Sequence, residues 1–326
     1  MHVLDVVRQE YVARQLLARR AVLATRKAWS QIDPQAIRAT WHSQVGPRVE
    51  QMLTGAQAEA ASTADRYTAA ALRAQGKPDS AEAQINPQAF AGTASDGRDL
   101  ATLLELSNVY ALQQIQRGAT PAQGLAVGGR WLAQTVGMQV LDAGRAANSV
   151  AITTRRHVTG YIRVCNGAAC ARCAILAGRW YKWNAEFDRH VACQCGQVPA
   201  DEGDSAGMRA DPMQMFREGQ ITGLSRAETQ AINEGADISQ VVNAHRGMFR
   251  MGTIYGHRIQ YTLEGTTRRG IAGKLLAKQG ATFPKTPGLR YARATNIPRL
   301  TVGQIFLDAT SREQAIFLLR RFGYIF

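Results

Sequence analysis

Apolar residues recur at helical spacing through the first half of the chain. Residues 2–32 predict a long amphipathic helix, with Val3, Val7, Leu16, Leu17 and Leu23 among its apolar positions and Arg and Gln between them. Asp33-Pro34 offers an N-cap and a proline at the first helical position, restarting a helix to about His42. Another helix is expected after Pro47, through an alanine-rich stretch to about Arg73. Residues 76–97 hold Lys77-Pro78-Asp79, Asn86-Pro87 and Asp96-Gly97, and so predict a loop with one short helix. A helix over 98–117 carries Leu100, Leu103, Leu104, Leu106, Val109 and Leu112 and stops at Gly118. Thr120-Pro121 opens the next, which is expected to continue past Gly128 and Gly129 to about Arg155.

The period then changes. Val158–Val164 reads as a strand, and Gly178–Trp183 (GRWYKW) is short and aromatic enough for another. The acidic stretch ADEGDSAG after Cys195 reads as a connector. Short helices follow: Ser225 with Glu228 has capping-box form with Gly235 as a stop, and Thr301/Gln304 and Ser311/Gln314 repeat the boxed start. The last helix is expected to pack through Ile316 and Phe317. Residues 264–296 look extended and poorly suited to form a core alone. The pattern predicts a mainly α protein with a small α+β, zinc-knuckle-like module. The expected divisions are a helical domain at 1–157, a cysteine/histidine-rich module at 158–200, a linker with short helices at 201–245, and a basic, partly extended C-terminal region at 246–326.

Composition narrows the class. With 326 residues, 45% hydrophobic and 20% charged, the chain can bury a substantial core and is neither disordered nor membrane-embedded. No apolar run approaches the roughly 18–20 residues that span a bilayer. The N-terminus lacks the apolar core of a secretory signal, so a reducing cytoplasmic setting is expected. Net charge is +14, and residues 246–326 hold 14 Lys/Arg against three acids, a net of +11. A basic region of this kind suits a polyanion, through counterion release at phosphates, or an acidic protein surface. Arg268, Arg269, Lys274, Lys278, Arg290 and Arg293 are the candidate contacts for either.

The candidate chemistry lies between Cys165 and Cys195. All five cysteines fall in those 31 residues, with His190 between the two groups. From Cys170 the spacing is Cys-x2-Cys, sixteen residues, His-x2-Cys-x-Cys. A tetrahedral zinc site takes four N or S donors at about 2.0–2.3 Å. Cys170, Cys173, His190 and either Cys193 or Cys195 can supply them. Four protein donors leave no position for an activated water, so such a site is structural. Disulfides, a redox Cys-x2-Cys pair or inert thiols are the competing readings. An odd cysteine count and a reducing compartment argue against the first, and the His–Cys–Cys group beside the pair argues against the second.

The run from Val164, VC…C..C..L.G followed by H..C.C, resembles the Mu F-like minor head morphogenesis proteins of tailed bacteriophages. Their signature ends in His-Pro-x-Cys-Arg-Cys, whereas here Val191 follows His190 and Gln194 replaces the Arg. Glu264–Leu276 and Pro298–Ile325 are similar to minor capsid proteins of actinobacterial phages, often labelled capsid maturation proteases. Together these stretches cover about a quarter of the chain. The resemblance implies a phage or prophage head protein with a structural zinc, assembled into the virion head in the host cytoplasm. It implies portal and major capsid proteins as partners, with packaged DNA and self-association beside them, and no membrane.

The label of protease has little support in the residues. No Gly-x-Ser-x-Gly elbow and no His-Glu-x-x-His helix is present, and His42, His157, His245 and His257 stand alone. A zinc deaminase would need His-x-Glu before Pro-Cys-x2-Cys, the reverse of the order here. The alternatives to a structural head protein are therefore a capsid maturation protease and a zinc-containing nucleic-acid-binding protein.

Overall fold

The computed structural model describes every residue except 1, 166, 168, 186–192, 194, 209, 245–247, 251–259, 264, 286, 288–290, 295–296 and 326. In chain order the helices and strands are α1 (Val3–Trp29), α2 (Ile37–Thr40), α3 (Gly46–Ser62), α4 (Ala64–Arg73), α5 (Leu100–Gln116), α6 (Pro121–Thr153), β1 (Gly160–Val164) and β2 (Ala169–Cys170). Then come α7 (Ala171–Ala174), β3 (Trp180–Lys182), β4 (Gly196–Ala200), α8 (Pro212–Arg217), β5 (Ile221–Thr222), α9 (Arg226–Asn233) and α10 (Ile238–Ala244). The remainder are β6 (Met248–Arg250), β7 (Gln260–Thr262), α11 (Ile271–Lys278), β8 (Arg299–Leu300), α12 (Val302–Asp308) and α13 (Arg312–Arg321). The chain is mainly helical with small sheets, as the periodicity predicts. It forms two compact units, one of residues 1–166 and 177–209, the other of 167–176 and 210–326.

In the first unit α6 is the spine, packed against α1, α3, α4 and α5. Its start follows the sequence: Thr120 accepts from the Gln123 N–H, Gln123 returns the bond, and Pro121 occupies the first turn, where its missing N–H costs nothing. Its 33 residues extend about 50 Å at 1.5 Å per residue. The glycines along it are contact points rather than tolerated interruptions. A Cβ on Gly128 would lie 2.4 Å from the Ser107 carbonyl oxygen of α5 and 2.9 Å from the Trp29 ring. One on Gly129 would lie 2.6 Å from Trp29 Nε1. That same Nε1 donates to the Leu125 carbonyl at 3.0 Å, and Trp29 meets Trp41 edge-on at 5.7 Å. Small residues let the helix axes approach, and the indole fills the space.

Three local expectations are corrected. Asp33-Pro34 makes a turn in which Asp33 accepts from the Gln35 N–H, and the helix begins only at Ile37. It passes through a π-helical turn, Trp41–Val45, into α3. On α1, Leu16 and Leu23 are exposed while Val6, Ala18, Ala21 and Trp29 are buried beside Val3, Val7 and Leu17. The apolar positions of this helix thus form two stripes, and only one is core.

A three-stranded antiparallel sheet, ordered β3-β1-β4, completes the unit. Ile162, Val164, Val198 and Ala200 pack on Val3, Val6 and Val7 of α1 and on Tyr67 and Ala71 of α4. Tyr161, on the opposite face, meets Leu72, Ile152 and Val158 and stacks on Tyr181. The acidic stretch after β4 forms a 3-10 helix, Glu202–Met208, and Lys77 pairs with both Asp201 and Asp204.

The second unit closes around Ile232, Val241, Leu276, Ile305, Leu319 and Tyr324. Capping bonds set its helices as the sequence predicts: Ser225 to Glu228, Thr301 to Gln304, Ser311 to Gln314. Two further expectations change. Within 264–296, α11 buries Ala272 and Leu276 in the core, so this stretch is not wholly extended. On α13, Ile316 packs against the core as expected, beside the buried Ala315 and Leu319, but Phe317 is 61% exposed. Arg299 is buried: its Nε donates to the Phe322 carbonyl at 2.9 Å, and its guanidinium lies 4.2 Å from the Tyr324 ring centre. The Tyr324 hydroxyl donates to the Leu300 carbonyl, and burial pushes its pKa up to about 12.

Candidate metal centre

Strand pairing places the first and last cysteines. Val164 ends β1 opposite Gly196, which opens β4. The next residues outward on the two antiparallel strands are Cys165 and Cys195, and their sulfurs lie 3.6 Å apart. That is well beyond the ~2.05 Å of a disulfide. Cys193 and Cys195 are buried.

Both are anchored from α6. Arg145 Nε donates to the Cys195 carbonyl at 3.1 Å, and Nη2 donates to the Cys193 carbonyl. Asp142, one turn earlier, pairs with Arg145 Nη1 at 2.8 Å and orients it. β4 is held further along by the Tyr67 hydroxyl, which donates to the Gln197 carbonyl at 2.7 Å, and by the Gln197 amide, which donates to Ser149 at 2.9 Å. These bonds anchor the Cys193 and Cys195 carbonyls and the start of β4.

Cys170 and Cys173 lie on the segment that leaves after β1 and returns before β3. Cys170 is the N-cap of α7, its sulfur accepting the Cys173 N–H at 3.3 Å. Cys173 is buried. Cys173 belongs to the second unit, and Cys193 and Cys195 belong to the first. Thiolate donors suit a soft or borderline cation such as zinc, which takes four N or S donors in a tetrahedron. Cys170 and Cys173 stay together at the start of α7, and His190 lies outside the described residues. The proximity of Cys165 to Cys195 has a sequence signal in retrospect: each cysteine immediately adjoins a strand end.

Among the basic positions, Arg268, Arg269, Lys274 and Lys278 are exposed, the two lysines one turn apart on α11. Arg268 lies against the Phe283 ring. Arg293 is half-buried where its backbone bridges Thr267, and Arg290 lies outside the described residues. His42 approaches Glu105 at 3.7 Å and His157 contacts the Pro78 carbonyl. His245 and His257 are not among the described residues. No helix among the described residues is long and apolar enough to cross a membrane.

No curated protein and no solved structure matches this chain. A family model described as VG15 protein matches residues 4–220, a stretch that contains all five cysteines. Such a match points to a phage-related viral protein and is compatible with a bacteriophage source. Because it spans well over half of the sequence, the chain belongs to the VG15 protein family.

Proposed function

We propose that this protein is a phage minor capsid or head morphogenesis protein, structural in role, whose cysteine centre holds zinc to stabilise the fold. The observation that carries the reading is the placement of all five cysteines within the matched viral family region, with Cys165 and Cys195 brought together at the ends of β1 and β4. The resemblance to Mu F-like head proteins falls on the same cysteines. The ligands would be Cys170, Cys173, His190 and either Cys193 or Cys195, the set that the sequence spacing offers. Zinc bound there would supply folding energy rather than chemistry. The exposed Arg268, Arg269, Lys274 and Lys278 suit packaged DNA or acidic surfaces of portal or major capsid subunits.

Two measurements test this separately. Elemental analysis of protein purified under reducing conditions is expected to give about one zinc per chain, lost in Cys173→Ser and Cys193→Ser; metal-free, fully folded protein would remove the zinc centre. Mass spectrometry of purified particles is expected to find the protein in heads, and particles without this gene are expected to stall in head assembly. Wild-type heads that lack the protein would refute the structural role. A maturation protease, the alternative carried by resemblance alone, would instead show as uncleaved capsid protein in a His245→Ala or His257→Ala phage.

A further inference from the structure

The exposed apolar stripe of α1 adjoins a groove with a distinctive lining. Helices α1 and α6 run antiparallel, since Arg14 Nη2 bonds Asn148 Oδ1 at 2.8 Å and Trp29 Nε1 bonds the Leu125 carbonyl at 3.0 Å. Between these anchors, Gln15–Arg26 faces Arg130–Leu141 across an open groove of about 530 Å³. Its floor is apolar: Ala18, Val22, Ala133 and Leu141 line it. Its rim is cationic: Arg19, Arg26 and Arg130 line it, with no carboxylate among the lining residues. Leu23, 64% exposed, stands in the lining and continues onto the stripe with Val12 and Leu16, at spacings of four and seven residues. None of the three arginines makes an ion pair among the described residues.

A groove between two antiparallel helices, open along about three turns of α1, has the dimensions that a third helix fills. Its chemistry selects the occupant. We infer that it receives an amphipathic helix of a partner protein, one whose apolar face is flanked by Asp or Glu. Leucine-sized side chains would cover Ala18, Val22 and Ala133, and the flanking carboxylates would meet Arg19, Arg26 and Arg130. A nucleic acid would pair with the arginines and leave the apolar floor unfilled. A second copy of this chain, at a net charge of +14, would bring its own positive charge to a positive rim.

The test uses the full-length protein and a fluorescein-labelled helical peptide of about four turns, with leucines on one face and flanking glutamates. Anisotropy titration is expected to show saturable binding. Lysine in place of the glutamates is expected to weaken it, as is the triple variant Arg19→Glu/Arg26→Glu/Arg130→Glu, each by about tenfold, the scale of three rim pairs. The charge-reversed variant is expected to bind the lysine peptide better than wild type does. Leu23→Ser tests the apolar component separately and is expected to weaken both peptides. The surface variants keep the fold, which circular dichroism verifies. Equal binding of both peptides, unchanged binding by the triple variant, displacement of the peptide by duplex DNA, or displacement by self-association at rising protein concentration would each overturn the proposal.

Discussion

Arg145 is the group whose removal tests how the Cys193 and Cys195 carbonyls are held. Replacement by methionine keeps most of the apolar stem and deletes the guanidinium. The Cys193 and Cys195 carbonyls lose their donors, and the largely buried Asp142 loses its counter-charge. Each hydrogen bond to a charged donor contributes about 1.5–3 kcal/mol, and an orphaned buried group costs about 1–3 kcal/mol. These terms overlap, and breaking a buried pair on one side costs about 3–5 kcal/mol in total. A loss of about 3 kcal/mol is therefore expected, lowering the melting temperature by roughly 6–12 °C for a unit of this size. Thermal melts by circular dichroism, with and without added zinc, measure it. Arg145→Met/Asp142→Leu should recover part of the loss, because no buried charge then remains unpaired. A loss below about 1 kcal/mol, or a double variant no better than Arg145→Met, would refute the assignment of Arg145 as the clamp on these two carbonyls.

Other predictions follow from the same geometry. Gly128→Ala places a methyl 2.4 Å from the Ser107 carbonyl and is expected to cost about 1–3 kcal/mol, whereas Gly55→Ala on α3, with open space around it, should stabilise by up to about 1 kcal/mol; denaturant melts compare the two. Burial opposes the charge on Asp201, yet the hydrogen bonds from Lys77 and Thr159 outweigh it and hold its pKa below the usual carboxylate range. Its contribution is present above the ordinary carboxylate pKa and is lost as the pH falls through the depressed one, so Lys77→Met should flatten the acid limb of a stability–pH curve below about pH 4, by under ~1 kcal/mol because the pair is partly exposed. Replacing Arg268, Arg269, Lys274 and Lys278 by alanine should reduce the slope of log K against log salt for duplex DNA by up to about 3.6, at about 0.9 per phosphate contact, and an unchanged slope would exclude this face from DNA binding.

Much of the local structure is determined by the sequence alone, because caps and glycines act within a few residues. Thr120-Pro121, Asp99, Ser225 and Ser311 begin helices where their side chains satisfy the first free N–H groups. Gly118 and Gly235 follow the ends of α5 and α9 with positive φ, as a helix stop requires. The clustering of five cysteines within 31 residues likewise marks a chemical centre without any coordinates. Periodicity, however, could not say which of two apolar stripes on α1 is core, since burial depends on where α6 lies. Nor could it show that Gly128 and Gly129 are docking points for Trp29 rather than weak spots in a helix. The second unit differs most from its pattern: Leu276 and Tyr324 enter one core although 48 residues separate them, and Arg299 is buried because a carbonyl and an aromatic face arrive from the end of the chain. Cys165 shows the same limit at the cysteine centre. Alone it is a spare thiol; the antiparallel register of β1 and β4 sets it against Cys195. Short-range hydrogen bonding is written residue by residue, whereas these contacts exist only once distant segments have paired and packed.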